Sequence, residues 1–340
     1  MGQTQFHTPV SIPEYSWKTG YRKRNMFTGS CFTENVGQRM ERLKYPADIN
    51  PFGILYNPVS VANGLQLLLD RKHFLKSDLL EHNGLWHSFY HHGRFSSPDP
   101  QEALQTINER IGVSADFLNT ADFLFITFGT AWVYRYKKSG KVVSNCHKIP
   151  AGEFERVRLS VEQIVRIYEK MLRLLWKANP ELKVIFTVSP IRHWKDGAHG
   201  NQLSKAILLL ATEQIVKSFP EACAYFPSYE FVMDELRDYR FYAADMLHLS
   251  EVAVDYIWQL FEENLIDEES KKLSSKVQNI RNALEHRPIN PNSEEYIRFL
   301  QKLYEKTLDL ERQFPYLNLK LEKEHFIRQI EDLGLRDPKK

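Results

Sequence analysis

Short, almost unbroken apolar runs alternate along this chain with longer stretches whose apolar residues recur every three or four positions. Residues 122–128 and 182–188 are apolar nearly end to end. A strand covered on one face only would alternate, so these two predict strands buried on both faces of a parallel sheet. Residues 25–28, 45–50 and 222–226 predict a first, a second and a last, shorter strand. Between them, helical periodicity predicts helices over about 33–43 (Val36, Met40 and Leu43 on one face), from about 60 (Val61, Leu65, Leu68, Leu69), and over 101–119, 160–178, 201–218 and 250–263. Ser160, followed three residues later by Gln163, forms a capping box, and Asn179-Pro180 ends that helix. Alternation of this kind predicts an α/β fold, a parallel sheet flanked by helices. Residues 82–100, rich in His, Gly and Ser, predict an irregular insertion, and 142–150 a loop or small hairpin partner.

After about residue 265 the strands vanish, charge density rises, and helical periodicity runs on to Leu333, interrupted by Pro288 and Pro291. This divides the chain into an α/β domain over 20–264 and a helical C-terminal extension over 265–340. The extension is expected to pack on the domain or on a partner, a homo-oligomer formed through its helices being one form of the latter.

Composition narrows the function classes. With 340 residues and 43% hydrophobic content the chain can bury a full core. A net charge of +2 gives no electrostatic footprint for nucleic acid or an anionic membrane, so neither is an expected partner. No apolar run approaches the roughly 18 residues of a membrane span, and residues 1–16 lack an apolar leader. Cys31, Cys146 and Cys223 are too scattered for a zinc or redox pair and are expected as reduced thiols. Together these features predict a cytoplasmic protein. His82, His87, His91 and His92 have no Cys or carboxylate companions at ligand spacing, so they are expected in an exposed or substrate-lining loop rather than on a metal. Neither a phosphate-binding loop nor a dinucleotide fingerprint is present.

Two short elements carry candidate chemistry. Gly29-Ser30 ends the first strand and opens a helix, which brings a hydroxyl to the carboxyl edge of the sheet, beside helix N–H groups able to stabilise an oxyanion. The plain alternative is that Ser30 only caps the helix. Asp245 and His248, three residues apart before the helix from 250, can meet across one turn. A serine hydroxyl needs such a base, and the base needs such an orienting carboxylate. The alternative is a surface Asp and His around a helix start. Cys146 and His147 are adjacent, and adjacent side chains on extended chain point apart.

The order of these elements, Gly-Ser after the first strand and Asp-x-x-His after the last, resembles that of the SGNH/GDSL hydrolase superfamily. Gly29-Ser30-Cys31-Phe32-Thr33 closely resembles the motif of the GSCFA family. The likeness continues through Asn50-Pro51-Phe52-Gly53, Asn57-Pro58, Phe128-Gly129-Thr130-Ala131-Trp132, the segment 189–197 and Phe226-Pro227-Ser228-Tyr229. It spans roughly residues 20–260 and leaves out the helical tail. The resemblance implies a flavodoxin-like three-layer α/β/α sandwich and ester chemistry: hydrolysis, or O-acyl transfer, on an acylated carbohydrate or small ester, with no metal or cofactor. It implies Ser30 as nucleophile, His248 as base and Asp245 as its acidic partner. The oxyanion donors it implies are the Ser30 N–H, a glycine N–H (Gly53 here) and an asparagine after the third strand. That asparagine position holds Ala131, so Thr130 or Asn57 is expected to replace it. Arg192 and His193, at the same edge, and the aromatic Trp132 are expected to bind substrate. The missing asparagine leaves a non-catalytic binding or scaffold protein as the alternative.

Overall fold

The buried runs pair into one parallel sheet. The computed structural model describes residues 8–333 apart from 287, 289, 291 and 292, so Pro291 and the end of the tail lie outside the described residues. In chain order the first elements are β1 (Asn25–Gly29), α1 (Cys31–Arg42), β2 (Ala47–Ile49), α2 (Pro58–Leu69), β3 (Leu80–His82), β4 (Leu85–His87) and α3 (Pro100–Asn119). The middle of the chain forms β5 (Phe123–Phe128), β6 (Trp132–Tyr136), β7 (Val142–Val143), β8 (Phe154–Arg158), α4 (Val161–Ala178) and β9 (Lys183–Val188). Then come α5 (Gly197–Ser218), β10 (Cys223–Tyr225), the short α6 (Ser228–Glu230), α7 (Glu251–Leu265), α8 (Glu268–Glu285), α9 (Glu294–Gln313) and α10 (Lys320–Asp332).

The main sheet has the order β2-β1-β5-β9-β10, all parallel. Counting only these five strands, the order is 2-1-3-4-5, the flavodoxin-like arrangement, whose switch point lies between β1 and β5. Because successive side chains on a strand face opposite ways, each strand feeds two cores. Phe27, Phe125 and Ile185, in register across three strands, pack with Val36 and Met40 of α1 and Ile257 and Phe261 of α7. Met26, Leu124 and Val184 pack on the other face with Leu65, Ile107, Leu172 and Leu208 of α2, α3, α4 and α5. The α/β/α sandwich is thus the expected one.

The structure adds a second sheet, β7-β6-β8, antiparallel and set beyond the end of β5. The sequence pattern anticipated only part of it, as a hairpin partner within 142–150. The segment read as an irregular insertion contains a hairpin, β3–β4, and two of its histidines are buried rather than exposed. His91 packs among Phe52, Phe74 and Phe95 at ring distances of 4.8, 5.2 and 5.0 Å. His87 stacks on His147 at 4.4 Å. These rings serve packing, and among the described residues no group of three or more His, Cys, Asp or Glu could hold a metal.

The tail helices continue the first core. Leu273, Val277, Ile280, Leu300, Leu310 and Phe326 belong to the same buried cluster as Phe27. The buried Glu322 of α10 binds Lys44 at 2.7 Å and Arg281 at 3.2 Å, clipping the tail to the turn after α1. Among the described residues no helix is long and apolar enough to cross a membrane.

Candidate active site

At the end of β1 the chain must turn sharply into α1. Gly29 has φ +139°, and a Cβ there would lie 2.2 Å from the Thr127 carbonyl oxygen of β5, so only glycine fits. Its N–H donates to Asn50 Oδ1 at 2.9 Å, which braces the turn from the loop after β2. Ser30 then occupies the N-cap position of α1, with φ −73° and ψ 175°, yet its hydroxyl makes no capping bond. The side chains of Asn57, Asp99, Ser160, Ser250, Asp267 and Ser293 do cap their helices. Ser30 Oγ is buried without any hydrogen-bond partner among the described residues. Capping therefore does not account for this serine.

Asp245 and His248 meet as the spacing predicts. Met246, at φ 61°, takes the left-handed conformation that closes the turn. Asp245 Oδ1 accepts the N–H groups of Leu247 and His248, each at 2.9 Å, and Oδ2 lies 2.5 Å from His248 Nδ1. The His248 contact, followed by the two backbone N–H groups, holds the Asp245 carboxyl down to about 2. An ionised carboxylate at Nδ1 leaves Nε2 of a neutral ring as the acceptor.

Ser30 and His248 line one cavity of about 380 Å³, and Asp245 sits behind His248, outside it. The hydrogen bond between Ser30 Oγ and His248 is not formed. Catalytic contacts are often longer in a free enzyme. Asn57, Thr130, Trp132, Arg192 and His193 line the same cavity. Asn57 caps α2 through Oδ1, which accepts from Ser60 N–H at 2.8 Å and leaves the amide NH₂ without a partner among the described residues. Thr130 is more committed: its hydroxyl pairs with Ser204 at 3.1 Å and accepts the Trp132 N–H at 3.2 Å, while its N–H donates to the Tyr56 carbonyl. Gly53 is not brought to the cavity. Its N–H closes a turn onto the Asn50 carbonyl at 2.8 Å, and its α-carbon packs against His92, so the oxyanion role expected of it is withdrawn. The Ser30 N–H is also turned inward, to the Thr127 carbonyl at 3.2 Å. Arg192, which lines the cavity, has a further set of contacts. Its guanidinium bonds the Met246 carbonyl and lies over Trp194, Tyr239 and Tyr242, so it braces the Asp245–His248 turn.

Two features were missed in the sequence. Lys205, fully buried on α5, donates to the carbonyls of Gly129 at 2.7 Å and Ser189 at 2.6 Å, joining the ends of β5 and β9. Burial pushes its ammonium down to about 7. The signal was legible: Lys205 falls on the stripe Asn201, Ser204, Leu208, Ala211, Thr212 and Ile215 that α5 buries. The second feature is a wall built by β6, β8 and the turn before α5. Arg156 lies 4.3 Å over the Trp132 ring and is ion-paired with Asp196, whose other carboxylate oxygen is buried without a partner among the described residues. Lys195 beside it donates to the Tyr134 hydroxyl at 2.8 Å. No spacing in the sequence pairs residues 156 and 196, because different elements carry them.

Comparison with known proteins bears on the whole chain. A solved chain described as "a putative platelet activating factor from Streptococcus pneumonia" aligns at 12% identity over 72% of this chain and 84% of its own, with a TM-score of 0.36. No curated protein matches. The tail, outside the sequence resemblance, has a family model of its own, described as the GSCFA domain protein, C-terminal domain, which matches residues 277–332. The model described as the GSCFA family matches residues 24–261, the whole sheet and both elements that carry the candidate chemistry, and the chain belongs to that family.

Proposed function

We propose that this protein is a serine-dependent acyl ester hydrolase or O-acyltransferase of the SGNH/GDSL-like kind. The observation that carries the reading is that Ser30, free of any capping bond, lines one cavity with His248, whose Nδ1 is held by the Asp245 carboxylate. In the proposed reaction Ser30 Oγ attacks the acyl carbon and His248 Nε2 takes its proton. His248 then returns the proton to the departing alkoxide, and water or an acceptor alcohol repeats the sequence to release the acyl group. Asp245 stabilises the imidazolium in between. Asn57, with its free amide, supports the oxyanion better than Thr130 does.

A cavity of about 380 Å³ suits a small ester. Trp132 and Tyr134 line the cavity and give a hydroxylated, sugar-like portion aromatic edges to pack on. A second reading, a non-catalytic binding protein on the same fold, is favoured by the buried Ser30 hydroxyl that touches no base, and by Ala131 at the asparagine position.

A panel of acetyl and longer-chain esters and thioesters, run on the wild type beside Ser30→Ala, separates the two. The hydrolase reading expects turnover of at least one ester and a loss of kcat of about 10⁴-fold or more in Ser30→Ala. Equal, background-level rates for both proteins would leave only the binding reading.

A further inference from the structure

With the Gly53 and Ser30 N–H groups engaged elsewhere, the cavity holds one unengaged donor from the expected set, the Asn57 amide. An acyl transfer site needs donors aimed where the negative charge develops. The group that reaches this place lies on the loop after β9. A Cβ built on Gly129, at the end of β5, would lie 3.2 Å from His193 Nε2 and 3.4 Å from Ser30 Cβ. The imidazole nitrogen and the serine Cβ therefore flank one point and lie no more than about 6.6 Å apart. No protein group among the described residues is hydrogen-bonded to the His193 ring. The ring is nevertheless held. Its own backbone N–H donates to the buried Asn201 Oδ1 at 3.0 Å, and Tyr56 meets the ring edge-on at 5.5 Å and 87°.

From this geometry we infer that His193, standing over Gly129 beside Ser30, takes the place of the missing asparagine and donates its Nε2–H to the substrate oxyanion. The inference rests on the hydrolase reading above and deepens it. As Ser30 Oγ bonds to the acyl carbon, the carbonyl π pair moves onto the oxygen and the serine proton passes to His248. His193 and Asn57 donate hydrogen bonds to that oxygen without giving up a proton. When the carbonyl re-forms, the alkoxide leaves with the proton from His248.

Two physical features favour a donor over a second base. Burial, and then the nearby Lys205 ammonium, push the His193 imidazole down to about 4, so it stays neutral and is a weak proton acceptor. Moreover, no carboxylate among the described residues is hydrogen-bonded to either of its ring nitrogens, whereas His248 has Asp245. Lys205, which ties together the ends of β5 and β9, is a positioning residue for the loop that carries His193.

The test uses the full chain and p-nitrophenyl acetate, with Ser30→Ala, His193→Ala and His193→Gln beside the wild type and a thermal melt of each protein. Removal of one oxyanion donor lowers kcat by about 10²-fold, so His193→Ala should lose that much with KM within about threefold. His193→Gln, which keeps an amide donor but cannot take a proton, should regain about tenfold, with the pH profile unchanged in shape. Wild-type kcat in a folded His193→Ala overturns the inference and leaves the hydrolase reading standing. His193→Gln as inactive as His193→Ala, with a limb of the pH profile lost, makes His193 a base and also overturns it. If His193→Ala does not fold, His193→Gln alone decides between these outcomes. Should the wild type turn over the ester no faster than Ser30→Ala, the hydrolase reading fails and the inference falls with it.

Discussion

Among single side chains, the buried histidines carry a measurable consequence. His91 is pushed down to about 3, and His147 and His193 to about 4, burial being the first cause in each. In the unfolded chain each would titrate near about 6.5. Between roughly pH 4 and 6.5 the unfolded state therefore binds more protons, so the stability these groups allow is present above that window and lost as pH falls through it. Glu230, raised by burial, opposes them with a single proton. We expect the urea midpoint to be lower at pH 5 than at pH 7, and an equal or higher midpoint at pH 5 would contradict the assignment. At this scale the sequence was partly legible. The Asp245–His248 contact and the turn that carries Ser30 could be read because each is local to a short stretch of chain. His193 was legible as a residue at the sheet edge but not as a neighbour of Ser30, since that contact depends on how two strand ends sit side by side.

Between residues and the whole lies the turn from β1 into α1, on which the serine depends. Gly29 is required twice there, by its φ of +139° and by the Thr127 carbonyl 2.2 Å from any Cβ. Gly29→Ala should destabilise the fold by about 3 kcal/mol, the combined scale of backbone strain and overpacking. A urea titration that finds a loss under about 0.5 kcal/mol would contradict this account of the turn. Helices were legible as elements because their periodicity is long and undiluted, and the two central strands because their apolar runs are unbroken. Ser160 and Gln163 form the expected capping box, and the helix after it runs to Ala178 as the pattern requires. The β7-β6-β8 sheet was not legible as a sheet. Its strands are two to five residues long, and the alternation in Trp132–Tyr136 and Phe154–Arg158 is masked by the charged residues Arg135, Glu155, Arg156 and Arg158, of which Arg156 lines the cavity. The hairpin β3–β4 was hidden in the same way by a composition that resembles a loop.

The molecule as a whole explains why chemistry from opposite ends of the chain converges. In the order β2-β1-β5-β9-β10, β1 and β5 lie side by side at the switch point, so Ser30 and Thr130 share one rim. The loop after β9 adds His193 to that rim, and the turn before α7 adds His248. The α8–α10 tail shares the core beneath α1 and α7, and its Glu322 clip reaches the turn that follows α1. The tail's apolar stripe is thereby covered within this chain, which the sequence left open between the domain and a partner. The central claim is that this shared rim makes Ser30 a nucleophile, and intact mass after treatment with a serine-directed fluorophosphonate tests it most directly. The account predicts one adduct on the wild type, mapped to the peptide containing Ser30 and absent from Ser30→Ala. An unlabelled wild type, or equal labelling of Ser30→Ala, would contradict it.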